Sequence, residues 1–210
     1  MKKNNDLDFL QDVISYSQLD IQSYQYFHNL LQRRTIVFNE EVDTDIVESL
    51  MMPLLEFEKD DSEEPVTLIL ATLGGSTLAG LSVCNIIDNY KKKLNIIVPN
   101  YALSMGFYIT IAGRDNPNVK KYAYPYTFFL LHAGETGASG ESGSVKDLIL
   151  FYDHIDEMIQ DYVLSHTSIT KEEYLTHIRK QWYLWYDRRT DELDNNGRTE
   201  NSYMPDGTRL

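Results

Sequence analysis

Three apolar runs constrain this chain more than any other feature. They are VTLILAT at 66–72, LNIIVPN at 94–100 and TFFLLHA at 127–133. Each is almost continuously hydrophobic. That pattern belongs to a strand buried on both faces, because a half-exposed strand alternates apolar with polar residues. Between the runs lie TLAGLSVCNIIDNYKKK and SMGFYITIAG, both with helical character. The order β-α-β-α-β over 66–133 implies parallel strands joined by crossover helices, and so an α/β core.

The flanks extend this unit. RTIVFN at 34–39 is a short strand, and VDTDIVESLMMPLLEFEKDD follows as a helix. Asp43 or Thr44 can cap it, and Ile46, Leu50, Leu54 and Leu55 share one face. DDSEEP is an acidic loop. After the glycine-rich GETGASGESG comes a long helix over about 144–166, with Ile149, Tyr152, Ile155, Ile159 and Val163 as its apolar stripe. TKEE at 170–173 is a capping box that opens another helix. The chain's 210 residues suit one domain with a sizeable core. The expected organisation is an N-terminal arm over 1–32, one domain over 33–186, and a polar tail over 187–210.

Charge narrows the function. The net charge is −13, which argues against a nucleic-acid surface, since phosphate neutralisation needs clustered Lys and Arg. The one basic run, KKK at 91–93, follows a helix end, where cations suit the dipole. A single cysteine, Cys84, permits no intrachain disulfide and no cysteine-based zinc site. It lies in an apolar segment and is expected to be a buried small residue. No metal or cofactor is expected. The N-terminus lacks the apolar stretch of a secretory signal, and no apolar run is long enough to span a membrane. The expectation is a soluble protein in a reducing, cytoplasmic compartment.

Three features carry chemistry. Gly74-Gly75 follow the first buried run, Ser104 opens the helix after the second, and His132 ends the third. Ligands of open α/β sheets bind outside the carboxyl ends of strands, so all three are expected at one sheet edge. Singly, each has a plain structural explanation: a turn, a helix cap, a structural histidine. Together they supply a hydroxyl, an imidazole and amide donors, the parts of acyl-transfer catalysis.

The residues around these positions resemble the Clp protease proteolytic subunit family, within the ClpP/crotonase superfamily. TLGGSTLAGLSVCNIID is similar to the family's Ser-Pro-Gly-Gly-Ser segment and its helix. NYALSMGFYITIAG resembles the block in which Ala-Ser-Met-Gly carries the nucleophile. LLHAGETGASGESGSVKDL resembles the His-Gln-Pro block that runs into the handle helix. The resemblance covers about residues 26–184. It implies an α/β fold, a repeated β-α-β superhelix with a parallel sheet and a protruding handle helix. It implies Ser104 as nucleophile, His132 as general base, and the N–H groups of Gly75 and Met105 as the oxyanion hole. It also implies a peptide or unfolded-protein substrate, a homo-oligomeric ring and an AAA+ unfoldase as partner.

Two positions depart from the family pattern. Leu73 stands where the family has proline, which removes no catalytic atom. The family's triad aspartate falls on Gln181, in QWYLW. Gln can accept a hydrogen bond from imidazole but cannot offset an imidazolium with a full charge. Asp187 is the other candidate for a third triad member, and Lys180 could in principle serve a Ser–Lys arrangement. Two further readings follow: a weakly active or structural subunit on the same fold, and a crotonase-type enzyme acting on CoA esters.

Overall fold

The computed structural model describes residues 29–124, 126–134, 137 and 139–186. The arm expected over 1–32 falls outside them except for its last four residues. The tail expected over 187–210 falls wholly outside.

The main sheet contains β1 (Thr35–Phe38), β2 (Val66–Leu70), β3 (Leu94–Val98) and β5 (Val119–Ala123), all parallel in the order β1-β2-β3-β5. A second sheet contains β4 (Tyr101–Leu103), β6 (Thr127–Leu131) and β7 (Trp182–Tyr186), in the order β4-β6-β7. Within it β4 and β6 are parallel, and β6 and β7 are antiparallel. The first two apolar runs are thus neighbours in one sheet, while the third belongs to the other. This corrects the expectation of a single sheet edge. The chain continues past β2 to Thr72, which bridges to Ala102 of β4, and the Leu103 N–H donates to the Thr72 carbonyl. That bridge joins the two sheets.

Burial on both faces also needs correction. Val66, Leu68 and Leu70, and likewise Leu94, Ile96 and Val98, are wholly buried, but the residues between them are half-buried. The elements packed on that second side cover it only in part. Strand β5 has no apolar run to announce it. It is one edge of the sheet, its burial alternates, and lysine occupies two of its five positions, as suits an edge that must not template further pairing.

The first long helix begins as a π-turn, Val47–Met51, and continues as α1 (Met52–Lys59). Pro53 has no N–H to offer the carbonyl one turn earlier, so the ladder widens there, and the Met52 N–H reaches the Val47 carbonyl. Ile46, Leu50 and Leu54 are buried as expected, and Leu55 is half-buried. Helix α2 (Thr77–Asp88) is capped by the Ser76 hydroxyl, which accepts from the Ala79 N–H at 3.4 Å. Helix α3 (Met105–Ile111) is buried at all seven positions. It lies against the chain beyond β2 closely enough that a Cβ on Gly106 would stand 2.7 Å from the Thr72 methyl carbon. Cys84 is buried, and burial first of all pushes its thiol up to about 12.

Helix α4 (Ser142–His166) is the expected long helix, and α5 (Lys171–His177) opens with the expected capping box between Thr170 and Glu173. The stripe on α4 is only partly covered. Ile155 and Val163 are buried, but Ile149 is exposed, together with Leu150, Phe151 and Met158. The C-terminal end of α4 is clasped to the core at Asp88. The Tyr162 hydroxyl donates to Asp88 Oδ2 at 3.0 Å, His166 Nε2 lies 3.2 Å from Oδ1, and the Gly113 N–H also donates to Oδ1. The Tyr162 and His166 rings stack at 3.8 Å.

Burial alone would raise the Asp88 carboxyl. The His166 and Gly113 hydrogen bonds outweigh it and hold the group below its ordinary 3.8. A carboxyl depressed in the folded state adds stability above its ordinary pKa, and that stability is lost as pH falls through the folded value. Asp88→Asn is therefore expected to lower the denaturation midpoint at pH 7. The gap to the parent protein should close once pH falls below 3.8. A gap that is constant across that range would show that the Asp88 charge contributes nothing.

Candidate active site

The site forms where the bridge between the sheets brings three chain segments together. After Thr72 the chain turns through Gly74 (φ +96°) and Gly75 (φ +147°), conformations open to glycine and costly for other residues. Thr72 Oγ1 accepts from the Gly74 N–H at 3.1 Å and holds the turn. The Val42 N–H donates to the Gly74 carbonyl at 2.9 Å, and the Ser76 N–H donates to the Val42 carbonyl at 2.6 Å. Those two bonds bracket Gly75, which pairs with Val42 as a parallel bridge. In such a bridge the middle residue turns its own N–H and C=O to the opposite side. The Gly75 N–H has no acceptor among the described residues.

Ser104 sits between β4 and α3. Its backbone has φ +50° and ψ −122°, strained for a residue with a side chain. Its N–H donates to the Leu130 carbonyl of β6 at 2.9 Å, so the second sheet holds the strained residue in place. Ser104 occupies the N-cap of α3 yet makes no side-chain cap. The hydroxyl is instead 3.0 Å from His132 Nε2. The plain explanation, a serine that caps a helix, does not describe this side chain. Met105 is the first residue of α3, so its N–H has no intrahelical acceptor. Gly74 packs against both: a Cβ there would lie 2.7 Å from Ser104 Cβ and 2.9 Å from the Met105 nitrogen.

His132 follows the end of β6 and is half-buried. The β6–β7 register ends at Leu131↔Trp182, so one further step sets Gln181 opposite His132. Gln181 is exposed, and no hydrogen bond joins it to the imidazole among the described residues. His132 Nδ1 has no side-chain acceptor among them. Lys180 is exposed and makes no bond to Ser104 or His132 among the described residues. Asp187 lies outside the described residues. Strand β7 runs away from the site and ends at Tyr186 opposite Thr127, at the far end of β6.

A cleft of about 740 Å³ opens over these groups. Gly74, Gly75, Ser104 and His132 line it, together with Glu40 and Glu41 and with Phe151, Ile155 and Asp156 of α4. A smaller cavity of about 290 Å³ continues from it past Met105, Tyr108 and Tyr174. Sequence reasoning found the glycines, the serine and the histidine. It missed Glu40, Glu41 and Asp156, because nothing in local spacing indicates which charges on a helix or loop face a cleft. Among the described residues no cluster of His, Cys, Asp and Glu is placed to hold a metal ion, and no helix is long and apolar enough to cross a membrane.

Comparison with known proteins gives two findings. A family model described as Clp protease matches residues 17–186. Among solved structures, a ClpP1 mutant from Listeria monocytogenes superposes with a TM-score of 0.60 at 20% sequence identity, covering 76% of this chain and 86% of that one. At that identity the superposition speaks for the fold: an α/β chain with parallel strands and a long helix.

Proposed function

Because the chain belongs to the Clp protease family, we propose that it is a serine endopeptidase that cleaves peptides through an acyl-enzyme on Ser104. The observation that carries this reading is the 3.0 Å contact from Ser104 Oγ to His132 Nε2 at a strained position beside Gly74 and Gly75. An extended peptide pairs with the free edge at Gly75, and its carbonyl oxygen points toward the N–H groups of Gly75 and Met105. Ser104 Oγ attacks the carbonyl carbon as Nε2 takes its proton, and the two N–H groups stabilise the oxyanion. Collapse of the tetrahedral adduct breaks the C–N bond, and the leaving amine takes the proton from His132. Water then repeats the sequence on the ester, releases the acid and restores the serine.

Gln181 favours a second reading, a weakly active or structural subunit of the same assembly. His132 Nδ1 has no side-chain acceptor among the described residues, and the residue opposite His132 is neutral; both support it. In either case the protein is proposed to assemble as a ring, with α4 between subunits: Ile149, Leu150, Phe151 and Met158 are exposed on one helix and need a covering surface. An AAA+ unfoldase would feed such a ring.

Fluorophosphonate labelling followed by peptide mass analysis tests the nucleophile. The label is expected on Ser104, to be lost in Ser104→Ala, and to occur in a species of oligomeric mass by light scattering. A label on another residue, or one that persists in Ser104→Ala, would remove Ser104 from its role. A labelled monomer would remove the ring.

A further inference from the structure

The cleft carries charge that the reaction itself does not require. Six residues line both the cleft and the smaller cavity: Thr77, Ser104, His132, Gly134, Asp156 and Ile159. A chain passing Ser104 from one space to the other meets all of them. Asp156 is the only carboxylate among the six. It is exposed on α4 between Ile155 and Ile159, and no ion pair neutralises it among the described residues. Its field reaches into the smaller cavity. The Tyr174 hydroxyl there is pushed up to about 12, first by burial and then by the Asp156 charge.

The walls suit a long side chain with a charged end. Met105, Tyr108 and Tyr174 are buried beneath the cavity, and Ile178 completes the apolar lining. A lysine or arginine stem can lie along such a surface while its cationic head reaches a carboxylate at the rim. The remaining charges are mostly acidic. Glu40 and Glu41 line the cleft, and among the described residues neither Lys nor Arg does. In the smaller cavity Glu157 joins Asp156, while among the described residues Arg179 is the single basic side chain in its lining. Glu157 is 4.0 Å from His154, and Arg179 makes no ion pair with Asp156 among the described residues.

We propose that Asp156 selects a basic side chain, lysine or arginine, at the residue that supplies the scissile carbonyl. This rests on the peptidase reading of Ser104 and names its substrate class, a cationic peptide. The smaller cavity begins at Ser104 and Met105, the nucleophile and a donor to the oxyanion, so the side chain beside the attacked carbonyl is the one that enters it. An exposed ion pair gives little discrimination, but a carboxylate in a concave, apolar-walled site acts through a lower effective dielectric. A lysine-over-glutamate preference of about tenfold follows.

The test uses three peptidyl diphenyl phosphonates that differ only in the residue at the phosphonate: lysine, leucine or glutamate. The full-length protein is used, and the rate of Ser104 modification is read by mass spectrometry. The lysine probe is expected to react about tenfold faster than the glutamate probe, with the ratio shrinking as salt rises. Asp156→Asn should cut the lysine-to-glutamate ratio to about twofold, and Asp156→Lys should invert it. Asp153→Asn, on the same helix but away from both cavities, should leave it unchanged. If Ser104 reacts but the ratio is the same in Asp156→Asn and Asp156→Lys as in the parent, the specificity role is overturned and the peptidase reading stands. If no probe modifies Ser104, both are overturned.

Discussion

Gln181→Asp is expected to raise kcat by about 10²- to 10⁴-fold, the scale of the loss when a triad aspartate is made neutral. His132 becomes imidazolium in the transition state, when Nε2 holds the Ser104 proton. Gln181 stands one register step beyond Leu131↔Trp182, on the strand beside His132. A carboxylate at that position would accept from Nδ1–H, fix the tautomer that leaves Nε2 free to accept, and offset the new charge. The neutral amide present can at most do the first two. Activity in the parent protein should therefore be low but measurable, since a serine, a histidine and an oxyanion hole still accelerate hydrolysis by about 10³ to 10⁴ over water. The gain should appear in kcat with little change in KM, because the added charge acts only after attack begins. Gln181→Glu, which keeps the side-chain length, is the companion variant. Asp187→Asn should change little. No gain from either Gln181 variant, combined with loss of activity in Asp187→Asn, would make Asp187 the third member and displace Gln181.

The second large effect is expected from one methyl group. Gly74→Ala should lower the rate of Ser104 labelling by about 10²- to 10³-fold, the cost of losing one oxyanion donor. The new Cβ would stand 2.6 Å from the Leu103 carbonyl oxygen, 2.7 Å from Ser104 Cβ and 2.9 Å from the Met105 nitrogen. The first and last of these are backbone atoms, so relief must shift the nucleophile or its neighbouring N–H. The positive φ adds strain of about 1–3 kcal/mol, so the denaturation midpoint should fall as well. Gly143→Ala is the control. It lies in the first turn of α4, and a Cβ there meets nothing within 4 Å. It should keep full labelling and gain slightly in helix stability. Labelling at the parent rate in a folded Gly74→Ala protein would show that the Gly74 turn does not hold Ser104 and Met105 in place.

Strands in both sheets could be read directly. Buried parallel strands need apolar side chains along most of their length, so β2, β3 and β6 announce themselves. Capping is equally local: Thr170 and Glu173 bond to each other's backbone, and their spacing states it in advance. Strands β4, β5 and β7 lacked that signal. One is three residues long, one is a lysine-bearing edge, and one is defined only by pairing with β6.

The groups able to do chemistry are legible along the chain: a hydroxyl at a helix start, an imidazole at a strand end and two adjacent glycines. Local chain chemistry sets such things, because caps, turns and strand ends depend on residues a few positions apart. That Ser104 leaves its helix uncapped to meet His132 is a matter of long-range packing, since it depends on a bridge from Thr72 to Ala102 between two sheets. Packing likewise puts Asp156 in the lining of the same cleft as Ser104, some fifty residues away in the chain. An exposed carboxylate on a helix carries no mark of its neighbour. Its role depends on where the packing of that helix directs it.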